Sequence, residues 1–158
     1  SFSRYEAEAA HFMPVAMDGN VVLALRGWIV ATDTAPGQHV PFYLAPSLGG
    51  SNTLRGYNDY RFHDRHLALF NTEVRVAVWE HLDAVGLFEA GNVASKFGDL
   101  NLDKTSYGFG VRLHTRTATI ARLDLARSDE GWKVVFRMND PFRLSRHHRR
   151  TALVPFAP

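Results

Sequence analysis

The 158-residue chain is 46% hydrophobic and 22% charged, with a formal net charge of +2 and no cysteine. That length suits one ordinary domain, the near-balanced charge argues against a nucleic-acid partner, and disulfides and thiolate metal sites are excluded. No run approaches the roughly 18 uninterrupted apolar residues of a membrane helix, so any membrane crossing must be made by strands.

Taken in chain order, the segments alternate with a period of two, in lengths of about ten residues, the span of a tilted transmembrane strand. "RYEAEAAHF" sets Tyr5, Ala7 and Ala9 against Arg4, Glu6 and Glu8, and "NVVLALRGWIV" sets Val21, Leu23, Leu25 and Ile29 against Arg26. A connection of roughly 30 residues follows, from Asp33 to about Phe62, far longer than compact domains usually tolerate and therefore expected to fill a cavity. Within it, "LGGSNTLRGYND" combines Gly49, Gly50 and Gly56 with the rigid donor fork of Arg55, a composition suited to a docked loop.

Beyond the loop, "HLALFNTEVRVAVW" places Phe70, Val74, Val76 and Val78 opposite Asn71, Glu73 and Arg75. "HLDAVGLFEAGNVA" is joined to it by a short turn at Glu80 and His81. "KTSYGFGVRLHT" opposes Tyr107, Phe109, Val111 and Leu113 to Ser106, Gly108, Gly110, Arg112 and His114, and "TATIARLDLAR" opposes Ala121, Leu123 and Leu125 to Arg122 and Asp124. In "GWKVVFRMNDPF", Trp132, Val134, Phe136 and Met138 share one face, and Lys133, Arg137 and Asn139 the other.

About seven antiparallel strands joined by short turns at one end and longer loops at the other describe an all-β meander. Two architectures accommodate it: a soluble sandwich or barrel with apolar faces inward, or a membrane barrel with those faces on lipid. The charged opposite faces and the long loop favour the membrane barrel. An odd count leaves an unpaired edge, so the segment is expected to be the C-terminal part of a larger barrel, comprising residues 1–142 with an inward-folded loop at about 33–62 and a tail at 143–158. The start at Ser1, without initiator methionine or signal peptide, is expected of a mature or truncated piece.

The loop sequence resembles the motif of the outer-membrane assembly-factor superfamily, also called the bacterial surface-antigen family (BamA/TamA-like). In that family an (aliphatic)-Arg-Gly-(aromatic) tetrad sits on a long loop folded into the barrel, and Leu54, Arg55, Gly56 and Tyr57 match it. The resemblance extends to "NTEVR" with Glu73, to "LFEAG" with Glu89, and to the Gly-x-Gly strand at Gly108 and Gly110, ending on an aromatic at Phe142. It implies a barrel of about 16 strands when complete, in the outer membrane of a Gram-negative-type bacterium. It also implies that the protein inserts barrel proteins into that membrane or moves protein across it. The seam strand would comprise residues 131–142, with Trp132, Val134, Phe136 and Phe142. Implied partners are outer-membrane lipid, unfolded barrel-protein substrates or a secreted passenger, and the remainder of the barrel with any periplasmic domains. Alternatives are the export barrel of a patatin-like secreted lipase and a soluble all-β binding module.

An arginine carried into a narrow lumen must meet carboxylates, since an unpaired buried charge costs several kcal/mol. Glu73, Glu89 or both are the expected partners of Arg55. Gly108 and Gly110 are expected either to clear a path for the loop or to mark a bend in the strand. Counting alternate residues back from Glu89 turns Val85 and Leu87 toward the lumen, unless a bulge near Gly86 intervenes or the loop covers that wall. His63, Asp64 and His66 lack the further ligand that a metal site requires, and no nucleophile motif is present, so no catalytic residue, metal or cofactor is expected. Trp28, Trp79, Trp132 and Tyr107 suit an interfacial aromatic girdle. The basic cluster Arg146 to Arg150 reads as a solvated tail.

Overall fold

A computed structural model of the chain describes residues 2–15, 20–34, 41–115 and 119–138. In chain order the strands are β1 (Phe2–Pro14), β2 (Val21–Thr34), β3 (Ser47–Leu48), β4 (Phe62–His63), β5 (His66–Trp79), β6 (Leu82–Ala94), β7 (Lys104–His114), β8 (Thr119–Ser128) and β9 (Gly131–Arg137). Seven of them form one sheet in the order β1-β2-β5-β6-β7-β8-β9, every neighbour antiparallel. The loop inserted between β2 and β5 carries the small β3–β4 ladder, pairing Ser47 with His63 and Leu48 with Phe62. β9 closes at Arg137, short of the expected limit at Phe142, which lies with the 143–158 tail outside the described residues.

Period-two alternation gives the sheet two chemically distinct faces. Phe70, Val74, Val76 and Val78 of β5, Tyr107, Phe109, Val111 and Leu113 of β7, and Trp132, Val134 and Phe136 of β9 are exposed on one of them. Arg26, Asn71, Glu73, Glu89, Ser106, Arg112, Arg122 and Asp124 are buried on the other. A soluble module with a greasy interior would reverse this arrangement.

The sheet curls around its polar face. β2 and β8 stand four strands apart, about 19 Å in a flat sheet at the usual strand spacing. Arg26 on β2 and Arg122 on β8 nevertheless both reach Asn52 of the loop. Only a curved wall brings the two side chains to one residue. Breaks in register fall at Ala77/Trp79 and Leu113/His114, both at the turn end of the strands. Near Gly86 the β5–β6 pairing is regular, so Val85 and Leu87 do face inward, 3% and 5% exposed. Of the two explanations considered for that parity, the bulge is absent.

At the loop end of the inner face, Leu48, Leu54 and Tyr57 pack with Val30, Leu67 and Leu69 in a small apolar core, flanked by Trp28, Phe62 and Val93. Tyr57 meets Phe62 edge-on at 5.0 Å between ring centroids. Trp28 belongs to this inner side, its indole N–H donating to Glu6 at 2.8 Å, and so departs from the expected girdle. Trp79, Trp132 and Tyr107 are exposed on the outer face.

Candidate functional site

The loop first builds its own frame. Gly49 and Gly50 take positive φ values of 109° and 96°, which a residue with a Cβ adopts only under strain. The turn they create lets the Gly50 amide donate to the carbonyls of Leu54 and Tyr57, each at 3.1 Å, while the Gly49 amide donates to Thr53 Oγ1. The tetrad then divides by chemistry. Leu54 and Tyr57 enter the apolar core, and Arg55 extends beyond it into a polar layer of the wall.

That layer follows from the register. Asn71, Glu89 and Ser106 occupy one row across β5, β6 and β7, and Glu73, Leu87, Gly108, Ala126 and Lys133 occupy the next across β5 to β9. Arg55 is fully buried among these rows. Its Nη2 lies 2.6 Å from Glu73 Oε1, its Nε 2.7 Å from Glu89 Oε1 and its Nη1 3.1 Å from Asp124 Oδ2. The Arg55 amide donates to Glu89 Oε2 at 2.6 Å, so one glutamate engages both the backbone and the side chain of the same residue. Burial alone would pull the guanidinium pKa down; the carboxylates of Glu89, Glu73 and Asp124 outweigh it and raise it above its ordinary value. Arg55 is therefore a permanent cation.

A second tier of arginines completes the cluster. Arg112 Nη2 donates to Glu73 Oε1 at 2.8 Å, Arg112 also pairs with Asp124, and Arg75 Nε donates to Glu73 Oε2 at 2.9 Å. From β7, Arg112 must cross the inner face of β6 to reach Glu73 on β5, which lays its stem over the row holding Val85. Arg122 donates to Ser51 O and Asn52 Oδ1 of the loop. Three guanidiniums with almost no exposure (Arg55, Arg112, Arg122) thus face three equally buried carboxylates (Glu73, Glu89, Asp124). Removing one partner strands its counter-charge away from water, a change that typically costs about 3–5 kcal/mol.

Backbone contacts seat the loop on the β7–β8 wall. The Gly56 amide donates to Ser106 Oγ at 2.8 Å, and Ser128 Oγ donates to Gly56 O at 2.9 Å. A Cβ at Gly56 would stand 2.8 Å from both Ser106 Oγ and Ser128 Cβ, so only glycine permits this approach. Of the two readings of Gly108 and Gly110, the bend has direct support: a Cβ there would collide with the Leu125 carbonyl and with Asp124 of the adjoining β8. They allow β7 and β8 to coil closely.

The structure therefore brings Leu54, Arg55, Gly56 and Tyr57 together with both Glu73 and Glu89. It keeps Trp132, Val134 and Phe136 apart, exposed on the outer face of the edge strand β9. Asp124, Asn71, Ser106 and Arg122 were not expected as loop partners, nor Arg112 as a partner of Glu73 and Asp124, although alternation had already placed all five on the polar face. Asn71 Nδ2 donates both to Thr53 O at 2.7 Å and to Glu89 Oε1 at 3.1 Å. Among the described residues, no group of three His, Cys, Asp or Glu side chains is placed to hold a metal. A buried ion cluster of this kind is suited to anchoring.

The family model described as "Omp85 superfamily domain" matches residues 1–132. Among solved structures, the fold is similar to that of BamA from Haemophilus ducreyi lacking POTRA domains 1-3, with a TM-score of 0.68 at 14% identity. The match covers 85% of this chain and 34% of that one, so the chain spans about a third of the length of the protein it resembles.

Proposed function

Because the chain belongs to the Omp85 superfamily, we propose that it forms the C-terminal segment of an outer-membrane barrel that inserts barrel proteins into the membrane or moves protein across it. The observation that carries this reading is Arg55, delivered by a loop into the curled sheet and set among Glu73, Glu89 and Asp124. The pair formed by an inward loop and an outward apolar face suits a lipid-embedded wall with a braced lumen. Its partners are outer-membrane lipid, unfolded substrate chains and the remainder of the same barrel. The role is mechanical: among the described strands β9 pairs on one side only, and its other edge offers a template on which an extended chain can pair.

The test uses the full-length protein reconstituted into liposomes of outer-membrane lipid. Its presence is expected to accelerate the folding of a denatured barrel protein into those liposomes, and Arg55→Ala to reduce that acceleration while the mutant barrel itself remains inserted. Folding at the same rate as in empty liposomes would overturn the proposal.

A further inference from the structure

The charge cluster explains how the loop is held to β5, β6 and β8, and the loop also makes a series of contacts with the terminal β8–β9 hairpin. Lys133 of β9 donates from Nζ to Tyr57 O at 2.7 Å. Arg137, also on β9, donates from Nε to Ser51 Oγ at 3.0 Å and lies 3.8 Å from Asp59. Glu130, in the turn between β8 and β9, pairs with Arg61 at 2.6 Å. Ser128, the last residue of β8, holds Gly56 O. The terminal hairpin is thereby tied to the loop at four heights, from its turn to its far end.

These ties matter because β9 hydrogen-bonds to β8 alone among the described strands. A strand paired on one side and only seven residues long has few bonds of its own to hold its angle against the sheet. Two cationic side chains on its inner face supply the missing constraint. Lys133 is the more informative of the two, since it grips a backbone carbonyl within the tetrad itself.

We infer that Lys133, seconded by Arg137, is a positioning residue that latches the edge strand β9 to the inward loop, so that the seating of the loop sets the attitude of the free strand edge. The loop then has two jobs carried by different residues: Arg55 anchors it to carboxylates of β5, β6 and β8, and Lys133 passes its position to the edge. This inference rests on the barrel reading above, but its test requires no substrate.

The experiment is amide hydrogen exchange followed by mass spectrometry on the full-length protein in a bilayer, comparing peptides that cover residues 131–137 with peptides from β5 and β6. A lost hydrogen bond from a charged donor is expected to raise exchange in β9 by about tenfold or more in Lys133→Met. Protection in β5 and β6 is expected to stay unchanged. Lys133→Arg, which keeps a cationic donor, is expected to restore most of the protection. Arg26→Gln, which releases Asn52 on the β2 side, is expected to leave β9 protected. Unchanged β9 exchange in Lys133→Met would overturn the latch, and so would a rise spread evenly over all strands. Insertion activity with an unaltered β9 would sink the latch and spare the proposed function; a β9-specific rise without insertion activity would do the opposite.

Discussion

Arg55 is irreplaceable because its three terminal nitrogens each address a carboxylate on a different strand, Glu73 on β5, Glu89 on β6 and Asp124 on β8. A lysine carries a single compact charge and cannot be divided among three strands. Arg55→Lys is therefore expected to loosen the loop nearly as much as Arg55→Ala, at a cost of about 3–5 kcal/mol, because each leaves buried carboxylates without their partner. Limited proteolysis of the loop in the membrane-inserted protein reads this directly: rapid cleavage near residues 50–60 in both variants is expected, and a resistant Arg55→Lys would show that charge alone suffices. Gly56→Ala tests a separate contact. Its added methyl must displace Ser106 or Ser128, so the same cleavage is expected with the ion cluster still complete.

Within a strand, alternate positions answer to different solvents. On β7, Phe109 is exposed on the outer face, whereas Ser106, three residues earlier, is buried and accepts the Gly56 amide. Phe109→Arg is expected to cost about 2–4 kcal/mol if this position lies near the bilayer midplane, because the guanidinium would face hydrocarbon. Ser106→Ala is expected to leave insertion intact while weakening the loop by about 1–3 kcal/mol, the usual cost of an orphaned buried donor. The inserted fraction in liposomes, followed by urea titration, separates the two: only the first variant should fail to enter the membrane. Equal insertion by both would remove lipid from the account of the outer face.

Among the described residues the seven-stranded sheet ends on β1 and β9, each paired on one side, and its outer face presents Phe70, Phe109, Val134 and Phe136 to the surroundings. Exposed edges and apolar faces both drive association in water. The 158-residue segment expressed by itself is expected to aggregate without detergent and to become dispersed when detergent covers the outer face, as size-exclusion chromatography would report. A monodisperse, detergent-free monomer at neutral pH would contradict a membrane-facing surface. At this scale the latch and the anchor act together, since the loop connects walls that lie on opposite sides of the curl.

The sequence by itself determined the seven long strands and their two faces, because side-chain alternation is a local property, and the resemblance of its loop motif to a known family pointed to the docking residues. Glu73 and Glu89 were legible through that resemblance, and alternation placed only Glu73 on the polar face, beside Asn71 and Arg75. Which carboxylates converge was decided by tertiary structure alone. Asp124 lies 69 positions from Arg55 and becomes its neighbour only when the sheet curls, and Lys133 reaches Tyr57 across 76. The close approach of β7 to β8 at Gly110 likewise depends on register and curvature. Those are properties of strands acting on one another, and no single strand encodes them.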